Sequence, residues 1–354
     1  MYEETREDIL NRMKNNTNDE LNKGEGTYIH DNLTPVSIEL EKENIKLNDV
    51  LNKVFIEKAL ENGYEDEVIA RCAEMGIYRK GGKKATNVIT IIGAEGTIIE
   101  KGFLVQTKSN IQFKAIEEKV IPDVGVIDIP IQALEVGSRY NVKVNTIVEM
   151  PIQIVGVTEV TNKNNITNGI DIEPIEDLYK RYKVKVTTPA TSGNKYHYYL
   201  WAMEVQGVGD CIVKPLWSGN GTVKVILIDS NKKKPNEEII KNVKEHIEEV
   251  RPIGANVTVV GIEESNININ VNIQIDTSTT LEEVKEKIEN NINDYFKTIA
   301  FKEKVVRYTR IASCILDVQG IIDYENLKIN DSTENIKLND EQVAILESVV
   351  VNDA

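Results

Sequence analysis

A chain of 354 residues with 41% hydrophobic and 28% charged side chains is long enough for two or three domains with cores of their own, and its profile is that of a globular protein. With 57 acidic against 42 basic side chains the formal net charge is −15, which disfavours nucleic acid and anionic membranes, because Lys and Arg supply phosphate contacts. The three cysteines, Cys72, Cys211 and Cys314, have no metal-ligand spacing and read as small buried hydrophobes in a chain folded in a reducing cytoplasm. The N-terminus, Met1-Tyr2-Glu3-Glu4, is acidic and lacks a signal-peptide apolar region, and no run of about 20 apolar residues predicts a membrane span.

Residues 1–80 read as helical. Ile9, Leu10 and Met13 form a short apolar stripe, and a longer helix is expected to open at Thr34-Pro35. Leu40, Leu47 and Val54 recur every seven residues, with Val36, Val50 and Leu51 widening the stripe. A heptad suits packing against another helix. Periodicity alone favours packing within the same domain; a stripe reserved for another subunit would stay incompletely covered in the isolated chain. A third helix follows Asn62-Gly63, with Tyr64, Val68, Cys72 and Met75 on one face.

From residue 86 the period changes. Short β-branched runs at 88–92, 98–99, 103–105, 111–115 and 126–134 are broken by Gly, Pro, Asn or Asp, the pattern of a β domain. The polar stretch Asn162–Gly169 reads as a boundary. Beyond it, helices are predicted near 174–186 and 193–205, a strand after Ser218-Gly219-Asn220-Gly221, a helix opened by Pro235 and a strand at Asn256–Val260. Ile267, Ile269, Val271, Ile273 and Ile275 alternate strictly with Asn268, Asn270, Asn272 and Gln274, which predicts a strand with one buried and one amide face in an antiparallel sheet. Thr280 and Glu283 form a capping box for a helix carrying Leu281, Val284, Ile288, Ile292 and Tyr295. A six-residue repeat, Val205–Asp210 and Val318–Asp323, predicts two related α/β units, each ending a helix at a glycine (Gly207, Gly320) before a strand. The expected fold class is α+β multidomain: an N-terminal helical region (1–84), a β-rich domain (85–165) and two α/β units (166–262 and 263–354).

No constellation predicts catalysis, a cofactor or a metal. His30, His197 and His246 have no ligand spacing, and His246, among Lys and Glu, reads as solvated. Gly76–Lys84 places Gly82 where a phosphate loop needs Lys, and reads as a helix cap followed by a basic turn. Asp171–Asp177 lacks the glycine and terminal glutamate of a calcium loop. Tyr196-His197-Tyr198-Tyr199 with Trp201 reads as aromatic core or interface; exposure of these rings would instead favour carbohydrate binding.

Several ordered segments resemble the baseplate J-like family of contractile phage tails. They begin with Glu25-Gly26-Thr27 through Ile38-Glu39-Leu40, then Arg79–Ala115 with Gly96-Thr97-Ile98-Ile99 and Gly102–Thr107, Val155–Asn162 and Gly169–Glu173 with Leu178–Arg181. Ser192-Gly193-Asn194, Trp201-Ala202, Val205–Asp210 and Gly219–Val223 follow in the family's order. Glu100 stands where the family usually has Pro, and Tyr140-Asn141 where Gly-Asn is common. The resemblance covers 25–260 well and the last third loosely.

This similarity implies a structural subunit of the baseplate wedge. In such baseplates six wedges surround a central hub and spike. Each wedge holds two J-like copies and one tail protein I-like partner joined by a helical bundle. A sheath-linking wedge protein joins the wedge to the sheath, and wedge rearrangement releases contraction. The particle would be a phage or an R-type bacteriocin assembled in the host cytoplasm. On this reading Val36, Leu40, Leu47, Val50, Leu51 and Val54 would meet partner helices, and Asn268, Asn270, Asn272 and Gln274 a neighbouring wedge. Two alternatives are a receptor- or carbohydrate-binding tail component and, weighed down by the lack of a nucleophile or metal set, a peptidoglycan hydrolase.

Overall fold

The computed structural model describes residues 3–276 and 279–353; Met1 and Tyr2 of the acidic N-terminus lie outside the described residues. The chain forms two compact units, 1–79 with 174–182, and 80–173 with 183–354.

The first unit is helical: α1 (Arg6–Asn15), α2 (Tyr28–Val54), α3 (Ile56–Glu61), α4 (Glu65–Glu74) and the start of α5 (Ile175–Thr187). Thr5 caps α1 in a box with Asp8, and Ile9 and Leu10 are buried where α1 packs on α2. Ala59, Val68, Cys72, Ile77, Ile175 and Leu178 form a second small core, and the buried Arg181 donates to the Tyr78 carbonyl at 2.7 Å. Met75, expected on the buried face of α4, is 45% exposed. Pro35 does not start α2. Thr27 is the N-cap, accepting from the His30 N–H, and Pro35 lies seven residues inside the helix. The turn at Gly26 (φ 78°) sets Thr27 at the helix entrance, a stronger start than a proline that merely tolerates helical φ.

The second unit opens with β1 (Lys84–Gly93), β2 (Ile98–Ile99), β3 (Leu104–Thr107), β4 (Gln112–Ala115), β5 (Lys119–Val120), β6 (Val126–Val136), β7 (Ile147–Glu149) and β8 (Val157–Thr161). Six of these strands form a sheet in the order β7-β3-β4-β6-β1-β8, and β7 and β8 at its two ends lie side by side, so the sheet nearly closes into a barrel. Ile89, Ile91, Val105, Phe113, Ile129 and Ile131 fill it. The polar 162–169 stretch is fastened to this barrel. Asn162, fully buried, accepts from the Thr146 and Ile147 N–H groups and donates to the Lys143 and Asn164 carbonyls, while Asn168 accepts from Thr86 N–H. Burial of an amide demands such partners, and here every bond is made.

The next elements are α6 (Lys195–Glu204), β9 (Val208–Pro215), β10 (Thr222–Asp229), α7 (Glu237–Val250) and β11 (Asn256–Gly261). The central β10 runs antiparallel to β9 and parallel to β11. Val225 and Leu227 pack under Tyr198, Ala202, Val243 and Ile247. Ile226 and Ile228 on its other face pack with Ile262 and Val343. The last region contains β12 (Glu263–Ile275), α8 (Leu281–Ile299), β13 (Val305–Val306), α9 (Tyr308–Leu316), β14 (Ile321–Ile329), β15 (Ile336–Lys337) and β16 (Gln342–Asp353). Ile267, Ile269, Val271 and Ile273 are buried under α8 and α9, and Thr280 and Glu283 make the expected capping box. The sheet is mixed rather than antiparallel: β12 pairs antiparallel with β14 but parallel with β16. Alternation reports which face is buried, not the direction of the neighbour.

Gly207 (φ 90°) and Gly320 (φ 101°) each sit between a helix (α6, α9) and an edge strand (β9, β14) antiparallel to the central one. Both sheets thus have a centre flanked by one antiparallel and one parallel strand, although the strands follow a different chain order.

Candidate interface surfaces

Two surfaces singled out by the sequence can be located. On α2, Val36, Leu40, Leu47, Val50 and Val54 are 46%, 42%, 43%, 51% and 45% exposed, and Leu51 is half-buried. At 3.6 residues per turn the five exposed residues fall within roughly 80° of arc. The helix forms because Thr27 caps it and its outward polar residues alternate in sign, with Lys42–Glu39 and Lys46–Glu43 pairs at 2.7 Å. Of its described residues only Ser37 is fully buried, and Arg6 N–H donates to Glu41 at 2.8 Å on the side that α1 covers. The apolar strip is therefore distinct from the face that α1 occupies. Glu43 interrupts it between Leu40 and Leu47.

On β12, Asn268, Asn270 and Gln274 are exposed and Asn272 half-buried, opposite the buried isoleucines. The amides also bond across the sheet: Asn268 accepts from Ser348 Oγ, and Asn352 donates to Asn270 (3.2 Å) and Asn272 (3.3 Å). This gives a ladder of neutral donors and acceptors along β12 and β16, with Lys328, Glu325 and Asp323 of β14 opposite Asn270, Asn272 and Gln274.

The aromatic segment on α6 presents no exposed platform. Tyr198 is buried, and Tyr196, His197, Tyr199 and Trp201 are half-buried. His197 stacks on Trp201 with centroids 4.9 Å apart, and its Nδ1 faces the Gly193 N–H at 3.1 Å. His246 is not simply solvated: Nε2 lies 2.7 Å from Glu204 Oε2, because α7 packs beside α6.

A cleft of about 960 Å³ runs between the barrel, the β10–α7 turn and α8, lined among others by Ser138, Asn141, Asp229, Lys233, Asn293 and Lys297. Burial pushes the Asp229 carboxyl up to about 6, against two N–H donors, from Lys233 and Asn231, that favour its ionised form. Ser138 Oγ donates to Asp171, and no histidine is among the described residues that line the cleft. Among the described residues no group of three or more His, Cys, Asp or Glu is placed to hold a metal ion. No described helix is long and apolar enough to cross a membrane.

The sequence carried no signal for Glu341, on the turn before β16. Its carboxylate accepts from Lys214 of β9 (2.9 Å) and Lys224 of β10, and these bonds hold it below the usual carboxylate range. It clamps the last strand to the first α/β sheet, beside the apolar contact of Val343 with Ile226 and Ile228.

Three family descriptions match consecutive stretches: the baseplate J-like protein barrel domain over 88–169, the baseplate J-like central domain over 190–261, and the baseplate J-like protein C-terminal domain over 267–352. The chain is 30% identical to phage-like element PBSX protein XkdT of Bacillus subtilis (strain 168) over 361 residues, 99% of each chain. It is 28% identical to baseplate protein gp47 of Escherichia phage Mu over 275 residues, 74% of this chain and 75% of that one. A solved structure of the anti-feeding prophage baseplate shares 8% identity over 97% of this chain and 90% of its own, at a TM-score of 0.41.

Proposed function

The chain belongs to the baseplate J-like family, and from that premise we propose that it is a structural wedge subunit of a contractile phage-type tail, without catalytic activity. The observation that carries the finer reading is the strip Val36, Leu40, Leu47, Val50 and Val54, left two-fifths or more exposed on a 27-residue helix whose other side α1 covers. A helix with a second apolar strip has a second helix to meet. The occupants are the helices of a second copy and of a tail protein I-like partner, joined in a bundle. Asn268, Asn270, Asn272 and Gln274 form the contact toward a neighbouring wedge, where the amides carry no charge of their own on an otherwise acidic protein and Lys328, Glu325 and Asp323 opposite them on β14 supply both signs. The chain is organised as a helical region (1–84), a barrel (85–165) and two α/β domains (166–262, 263–354); hub, spike and a sheath-linking wedge protein are its further neighbours, and rearrangement of the wedges releases the sheath. The particle, phage or R-type bacteriocin, is assembled in the host cytoplasm.

The experiment is isolation of native particles and identification of their subunits, with Asn268→Asp and Asn270→Asp introduced together. These variants are preferable to removal of the last domain, which would strip Val343 from Ile226 and Ile228. Six-fold baseplates should be seen by electron microscopy with the parent chain and open or isolated wedges with the double variant. Complete baseplates from the variant would place the wedge-to-wedge contact elsewhere.

A further inference from the structure

One end of the barrel carries exposed apolar side chains. Three turns converge there backbone to backbone: Gly93 N–H donates to the Gly125 carbonyl at 3.0 Å, and Ala94 N–H to the Gly156 carbonyl at 2.7 Å. A methyl group on Gly93 would stand 2.2 Å from the Gly156 oxygen, so this approach requires glycine. Beside the three glycines stand Ile92, Val124 and Val155, which are 36%, 72% and 97% exposed. Ile92 is opposite Val126 on β6 and Glu159 on β8, so these side chains share the barrel's outer face. Ile98 and Val120 oppose each other on the short β2–β5 pair and are likewise exposed.

Turn tips that serve only to meet water usually carry Gly, Asn, Asp or Ser. Here they carry β-branched apolar residues, which have little side-chain freedom to lose on docking, and the interlocked glycine turns hold them in place beforehand. The rim is acidic. Stretches 92–101, 116–126 and 150–159 contain Glu95, Glu100, Glu117, Glu118, Asp123 and Glu159 against Lys101 and Lys119. Lys119 is already within 3.8 Å of Glu117. Two copies of this patch meeting face to face would bring like charges together, which opposes self-association through it.

We propose that this barrel end docks a different protein chain of the same particle, whose contact surface has an apolar centre ringed by Lys and Arg. The inference rests on the reading of the chain as a particle subunit, and adds a contact made by neither the α2 strip nor the amide face. The test places a single reactive thiol at the tip, Val155→Cys, in the full chain with Cys314→Ser; Cys72 and Cys211 are buried. Labelling with a maleimide is timed in the free chain and in purified particles, and a maleimide–benzophenone on the same thiol is photo-crosslinked and its product sequenced. The expected result is labelling slowed at least tenfold in the particle and a crosslink to a Lys/Arg-rich segment of another protein. Glu95→Lys with Glu159→Lys should remove that protection. Equal labelling rates, a crosslink to a second copy of this chain, or unchanged protection in the charge-reversed variant would each overturn the inference. Absence of the chain from the particle by mass spectrometry would instead overturn the subunit reading on which it rests.

Discussion

Leu47→Asp on α2 separates a subunit interface from a domain core. Leu47 is 43% exposed in the isolated chain. Full burial of a leucine is worth about 1.5–3 kcal/mol, so covering the remaining two-fifths contributes about 1 kcal/mol to a bundle. Similar contributions from Val36, Leu40, Val50 and Val54 bring the strip to about 4–5 kcal/mol. Aspartate at position 47 forfeits one share and places a carboxylate without a partner in the seam, a further penalty of about 1–3 kcal/mol. Association should therefore weaken by about 2–4 kcal/mol, roughly 30- to 1,000-fold. The free chain loses helix propensity, about 0.5 kcal/mol, and the burial of the three-fifths of the side chain already covered, about 1–2 kcal/mol, so it is weakened but stays folded. The assay is size-exclusion chromatography of the chain co-expressed with a tail protein I-like partner, beside thermal unfolding of the chain alone by circular dichroism. Ile45→Asp is the control: Ile45 is 63% exposed but lies roughly opposite the strip, and should leave assembly intact. Loss of helical signal in the free Leu47→Asp chain would mean that the strip is intradomain core. Full assembly with a folded variant would mean that partner helices bind elsewhere.

Two further predictions concern carboxylates within the second unit. Asp229 has its folded pKa raised from 3.8 to about 6, so its stability contribution is full below pH 3.8 and is lost as pH rises through about 6, a span worth at most about 3 kcal/mol. Asn at this position keeps an acceptor for both loop N–H groups; Asp229→Asn should melt higher than the parent at pH 7.5 and lose that advantage by pH 4, whereas a lower melting temperature at pH 7.5 would show that the charge itself is needed. Glu341 has its folded pKa lowered beneath 4.5, so its contribution is present above that value and is lost as pH falls through the folded pKa. Glu341→Gln should destabilise the chain by about 1 kcal/mol or less at pH 7 and flatten the acid side of its stability profile, measured by urea unfolding from pH 3 to 7; an unchanged acid limb would mean that the Lys214 and Lys224 clamp is not coupled to folding.

Much of the fold is written locally. The alternation of Ile267–Ile275, the Thr280–Glu283 box and the 3.6-residue period of α7 and α8 are short-range instructions, and each element formed where that chemistry placed it. Pro35 was a weaker signal than the Gly26-Thr27 cap upstream, and so misplaced the start of α2. What no local pattern carries is the identity of the partner. The parallel pairing of β16 with β12, the near-closure of β7 on β8, the bonds of Asn162 inside the barrel and the clamp of Glu341 on Lys214 and Lys224 all join residues far apart in the chain. The same holds for exposure. The heptad on α2 was visible in the sequence, but which side of the helix α1 covers, and so which side stays exposed, was decided only when the helices packed. Periodicity specifies that a residue needs a neighbour; only the folded chain determines which neighbour it has and which surfaces are left without one.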